Sequence, residues 1–200
     1  MNKKEINECI VNTLKIEANE ISRLINYLNY ENVYKTIDLI SKTNGKVLIT
    51  GCGTSAQIAK KIVHSLNCIN IDAIYLNPSD AVHGSIGTIK SKDIVIFISK
   101  GGNTKELTSF IENIKQKQAK IIYVGENENS ILGKNADIYL NVKIESEPDE
   151  FNMLATASSI TVLALFDAIC IALMKETNFS KSEFKVNHPQ GAVGERLNKL

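Results

Sequence analysis

The residues equipped for chemistry gather in a few glycine-bearing loops. "TGCGTSA" (50–56) and "FISKGGNTKEL" (97–107) each end an apolar run in glycines and hydroxyls, then open a helix-like pattern. Glycine lets the backbone turn sharply and leaves room beside it for a ligand. The free N–H groups and the dipole at a helix start favour an anion there. The first corner lacks the GKS or GKT of a P-loop, and Ala56 takes the place of the third glycine of a GxGxxG. No acidic residue ends the second apolar run where a ribose needs one. Alone, this corner fits a tight turn with Ser55 as helix cap as well as it fits a phosphate cradle. The second corner tips the balance: Ser99, Gly101, Gly102, Asn103 and Thr104 repeat the same chemistry. Two such corners on neighbouring strands would face each other, so phosphate binding is expected.

Glu106 falls in the first helical turn after the second corner, either complementing the helix dipole or standing as a carboxylate beside the phosphate. The chain has three histidines. His83 ("AVHGS") and His188 ("NHPQGAVG") sit in glycine-bearing loops, where function concentrates. His64 shares the polar face of its helix with Gln57, Lys60 and Lys61 and is assigned to the surface.

The elements that must position these residues follow from periodicity. The first forty residues read as helical, with Ile10, Leu14, Ala18, Ile21, Leu24, Ile25 and Leu28 spaced as a packing face. A second helix covers Glu31 to Lys42, and Asn44-Gly45 turns the chain. Five short apolar runs follow, at 46–50, 71–76, 93–99, 120–125 and 137–142. They are β-branched and mostly continuous, as in strands covered on both faces. Helices are expected near 55–67, 103–117 and 129–134, then a long one from about Phe151 to Glu176 and a short one closing the chain. Strand-helix alternation argues for a parallel, doubly wound α/β sheet, whose ligands bind beyond the carboxyl ends of the strands.

Composition narrows the class. Two hundred residues suit one domain, here 1–200, with helices over 1–43 and an α/β core over 44–200. Lys+Arg total 23 against 22 Asp+Glu, a net charge of +1, so no basic field gathers nucleic acid. The four cysteines show no CxxC spacing and read as reduced thiols of a cytoplasmic protein. The N-terminus has no apolar signal core, and the longest apolar run, "ITVLALFDAICIALM", is interrupted by Asp167 and too short for a bilayer. A soluble protein with no membrane partner is expected.

In the order and spacing of "GCGTSA", "NPSDAVHG", "ISKGGNTKEL", "LATASSI" and "NHPQGAVGERL", the sequence resembles sugar isomerase (SIS) domains, and among them the arabinose-5-phosphate isomerases. The similarity runs from about Lys46 to Leu200. It implies a three-layer αβα sandwich with a five-stranded parallel sheet, a phosphosugar ligand, and assembly as a homodimer or homotetramer. It also implies that Ser55, with Thr54 beside it, joins Ser99, Thr104 and the backbone of Gly101, Gly102 and Asn103 in holding the phosphate. Glu106, His83 and His188 correspond to the family's carboxylate and its HG and HPxGA histidines. Many such isomerases carry a C-terminal pair of regulatory CBS modules, which are not expected in a chain ending at Leu200.

Departures from the family pattern bear on the substrate. The usual GKSG reads Gly53-Thr54-Ser55-Ala56, without its lysine, and the usual SxSG reads Ser99-Lys100-Gly101-Gly102. One hydroxyl is lost there and Lys100 stands as a candidate replacement cation. Thr156-Ala157 replaces the common Pro-Thr, and Thr156, Ser158 and Ser159 read as helix-cap or substrate-proximal hydroxyls.

The expected activity is aldose–ketose isomerisation through an enediol, between arabinose 5-phosphate and ribulose 5-phosphate. Glu106 is the expected base, and His83 and His188 open the ring or shuttle protons. This chemistry needs no metal or other cofactor. The alternatives are an isomerase of another phosphosugar, such as a hexulose 6-phosphate, and a non-catalytic phosphosugar sensor.

Overall fold

Continuous β-branched runs demand a sheet covered on both sides, and the fold supplies one. The computed structural model describes residues 1–198; the last two positions of the expected 1–200 domain lie outside the described residues. Five strands, β1 (Val47–Gly51), β2 (Ala73–Tyr75), β3 (Ile94–Ile98), β4 (Lys120–Gly125) and β5 (Ile138–Asn141), form one sheet in the order β2-β1-β3-β4-β5. All four pairings are parallel. Every residue of β1 and β3 is buried. The strand order reverses between β1 and β3, the switch point at which open α/β sheets bind ligands.

The helices are α1 (Lys3–Tyr27), α2 (Tyr30–Lys42), α3 (Thr54–Cys68), α4 (Pro78–Ala81), α5 (Lys105–Thr108), α6 (Ile111–Gln116), α7 (Ile131–Asn135), α8 (Ala157–Glu176), α9 (Lys181–Asn187) and α10 (Gly191–Asn198). A 3-10 turn covers Ser85–Thr88. Alternate strand residues face opposite layers. Val47, Ile49, Ile94, Ile96 and Ile122 pack with α1, α2, α3 and α8. Leu48, Val95, Phe97, Ile121 and Tyr123 pack with α4 through α7. The result is the three-layer αβα sandwich expected from the resemblance.

Besides α4 and α9, which the expected set lacks, three elements differ from expectation. The helix expected over 103–117 is broken into α5 and α6. Between them Ser109 Oγ donates to the carbonyl of Glu106 at 3.1 Å, a side-chain bond that competes with helical pairing. Phe110 leaves helical geometry at φ −119° and packs its buried ring 5.5 Å from that of Phe97. The long helix begins at Ala157 rather than Phe151. Upstream, the Asp149 carboxylate accepts from the amides of Phe151, Met153 and Leu154 at 2.8–3.0 Å, so these amides stabilise a loop. The packing face expected of α1 is buried only toward its C-terminal end: Leu24 is buried, whereas Ile10 and Leu14 are 52% and 59% exposed.

At 20 residues, α8 is long and apolar enough to cross a membrane, whereas the apolar run within it reads as too short. It nevertheless packs on α1, α2 and α3, burying Leu165, Phe166, Ile169 and Leu173. Asp167, the residue that interrupts the run, pairs with Lys61 of α3. This is the arrangement of a core helix.

Candidate active site

β1 and β3 are hydrogen-bonded neighbours, with Gly51 opposite Ile98. The two glycine-hydroxyl corners therefore leave the same end of the sheet side by side. At the first, Gly53 takes φ 57°, ψ −127°, and α3 starts with no side-chain cap. Its first N–H groups remain available to an anion. Thr54 is exposed, and Ser55 is half-buried in the wall of a cleft.

The second corner is built more tightly. Buried Ser99 accepts from the Gly102 amide at 3.2 Å, and its Oγ lies 3.2 Å from Thr104 Oγ1. Gly102 takes φ 69°, and a Cβ there would collide with Ser130 Oγ and the Tyr123 hydroxyl; no other residue fits. Its carbonyl accepts from Leu132 at 3.1 Å. Asn103 Oδ1 accepts from the Ile131 amide at 2.9 Å, so this oxygen holds the start of α7, while the Asn103 backbone and Nδ2 stay available to a ligand. Thr104 begins α5 without a side-chain cap bond, and Gly101 faces open space.

Glu106, in the first turn of α5, is exposed, and its charge acts on Cys52 of the first corner. Burial pushes the Cys52 thiol up, and the Glu106 carboxylate adds to the effect. The loop carrying exposed His83 reaches the same end of the sheet, because α4 packs against α5. His188 is elsewhere in the chain. It ends α9, its ring 4.2 Å from that of Phe184. The adjacent Asn187 Nδ2 donates to the carbonyl of Cys68 at 3.1 Å. Cys68 ends α3 and Ser55 begins it, so roughly 20 Å of helix separates the two regions. His64 is exposed, as expected.

Glu147 is the site residue that the sequence reading misses. It sits in the acidic stretch "SEPDEF", which resembles a solvated loop, yet it is only 3% exposed. Its carboxylate accepts from the amides of Thr156 and Ser158 at 3.0 and 3.3 Å and from the Ser158 hydroxyl. It therefore caps α8, which has no cap from Thr156 itself. Burial alone would push its carboxyl up, but these bonds and the Lys100 ammonium, 3.5 Å away, hold it below the ordinary value. The serine pair of "LATASSI" was the available signal; it marks the helix start but not the acid that binds it.

The segment bearing Glu147 is tied to α1. Arg23 bridges Glu20 and Glu145, both at 2.8 Å, and the Glu145 amide donates to Glu20 Oε1 at 3.2 Å. Glu20 is 2% exposed. Lys100, Ser55, Ser158 and Ser159 line one cleft beyond the carboxyl ends of β3, β4 and β5. Among the described residues no group of three or more His, Cys, Asp or Glu is placed to hold a metal ion.

A profile of the SIS domain matches residues 39–172. The chain belongs to the SIS domain family. Among SIS relatives, arabinose 5-phosphate isomerase KdsD of Francisella tularensis subsp. tularensis is 34% identical over 190 residues, which are 94% of this chain and 58% of the relative. Arabinose 5-phosphate isomerase GutQ of Escherichia coli K12 is 33% identical over 185 residues, 92% of this chain and 57% of the relative. The chain thus spans somewhat over half the length of these curated relatives. Among solved SIS structures, a provisionally named sugar-phosphate isomerase of Listeria monocytogenes superposes with TM-score 0.93 at 48% identity, covering 95% of this chain and 100% of the other. Protein c3406 of E. coli CFT073, solved in complex with arabinose 5-phosphate, gives TM-score 0.90 at 25% identity, covering 94% and 100%.

Proposed function

We propose that this chain is an aldose–ketose isomerase that interconverts D-arabinose 5-phosphate and D-ribulose 5-phosphate. The observation that carries the reading is the pair of hydroxyl-bearing corners on adjacent parallel strands, with the Glu106 carboxylate beside them. Ser99, Thr104 and the amides of Gly101, Gly102 and Asn103 hold the phosphate from one side; Thr54, Ser55 and the start of α3 hold it from the other. Glu106 moves the proton between adjacent carbons, and His83 assists ring opening. The likeness to arabinose 5-phosphate isomerases supports this substrate over a hexulose 6-phosphate, and the carboxylate supports an enzyme over a sensor.

The 1–200 domain acts in the cytoplasm in a homodimer or homotetramer, without nucleic-acid or membrane partners. His188, remote from its own corners, serves a neighbouring subunit. The test incubates the pure protein with a panel of phosphosugars and follows aldose–ketose conversion by NMR. Conversion of arabinose 5-phosphate ahead of the others is expected. Binding without conversion of any sugar would return the protein to the sensor class.

A further inference from the structure

Lys100 lies inside the second corner, between Ser99 and Gly101. Its backbone is fixed, since its carbonyl accepts from the Glu126 amide at 2.9 Å and from the Tyr123 hydroxyl at 3.2 Å. From that anchor the side chain reaches Glu147, ammonium to carboxylate 3.5 Å, while remaining 46% exposed. The exposed part borders the cleft shared with Ser55, Ser158 and Ser159. Glu147 is committed on its other side to the start of α8. The lysine is thus a cation held by a fixed anion, with ammonium protons left for a ligand oxygen.

Resting on the isomerase reading, we propose that Lys100 is a further catalytic residue: it donates to the substrate's carbonyl oxygen and stabilises the enediolate. Two oxygen classes compete for this ammonium. A phosphate would bring up to two negative charges next to the buried Glu147 carboxylate, at a Coulombic cost that grows in a partly desolvated cleft. The phosphate also has its own donors at the two corners. A carbonyl oxygen is neutral on arrival and gains charge only as the reaction proceeds, so the lysine acts most strongly where charge develops.

The electrons balance without a co-reactant. The C2–H bond breaks and its proton passes to the carboxylate base. The released pair forms C1=C2, and the carbonyl π pair moves onto O1, beside Lys100. The O2 proton then passes to O1, C2=O2 forms, and the C1=C2 pair takes the proton back from the base at C1. Lys100 stays an ammonium throughout.

The test compares wild type, Lys100→Met and Lys100→Arg in two assays: turnover of arabinose 5-phosphate, and calorimetric affinity for arabinitol 5-phosphate, which has the phosphate but no carbonyl. Lys100→Met is expected to lower kcat by ~10²–10³-fold while arabinitol 5-phosphate affinity stays within about twofold. Lys100→Arg should recover part of the turnover. Thermal melting of each variant separates chemistry from misfolding. Undiminished turnover in folded Lys100→Met overturns the proposal, and so does a loss of arabinitol 5-phosphate affinity parallel to the loss of kcat, which would make Lys100 a phosphate ligand. If wild type binds arabinitol 5-phosphate but converts no phosphosugar, the isomerase reading itself fails first.

Discussion

A carboxylate earns different roles from different surroundings, and Glu106 and Glu147 divide them. Glu106 is exposed at the first turn of α5, the position of the proposed base. Glu106→Gln keeps its shape and should fold normally while losing ~10²–10⁴-fold in turnover, the range for a general base. Near-full activity in that variant would leave Glu106 a mere partner of the helix dipole. Glu147 has its lone pairs taken by amides, a hydroxyl and an ammonium, so it serves as a permanent anion. Its folded pKa lies below the ordinary 4.5. Its contribution to stability is therefore complete above about pH 4.5 and is lost as pH falls through the depressed folded value. Glu147→Gln should cost about 1–3 kcal/mol at neutral pH and flatten the acid limb of the stability curve. Parallel curves for variant and wild type, by urea denaturation from pH 6 to pH 3, would remove Glu147 from the cap.

At the scale of elements, the α1 clamp governs the segment that delivers Glu147. Arg23→Met leaves the buried Glu20 carboxylate without its cation. A loss of about 1–3 kcal/mol is expected, between the worth of exposed and of fully buried pairs. The double variant Glu20→Gln, Arg23→Met should recover part of it. If the single variant unfolds at the wild-type urea midpoint, the clamp contributes nothing. Long-range ties of this kind explain what the sequence leaves hidden. The corners after β1 and β3 are legible because glycine and hydroxyl side chains act within a few residues of where they stand. Glu147 is not, because the amides it binds lie nine and eleven positions onward and only the folded loop brings them together. The false helix start at Phe151 has the same origin: Asp149 captures amides that periodicity assigns to a helix. Nothing in the run 103–117 announces the break at Phe110, which is set by the ring it inserts beside Phe97.

For the whole molecule, the placement of His188 at the far end of α3 makes its proposed catalytic role a question of assembly. Mixing inactive His188→Ala subunits with inactive Glu106→Gln subunits, under conditions of proven exchange, should restore part of the activity if sites are shared, because some then receive both intact residues. Full activity of His188→Ala alone would end the role. No restoration would place His188 in its own subunit's chemistry. The exposed Ile10 and Leu14 of α1 offer apolar surface consistent with such an assembly. Two long helices point their positive ends toward the cleft: α3 stands open, whereas α8 is already plugged by Glu147. An elongated ligand with one charged tip meets an asymmetric socket, welcoming on the β1 side and shut on the β5 side. On the proposed reading such a ligand seats only one way round, and which carbon lies next to Glu106 is decided before any bond is broken.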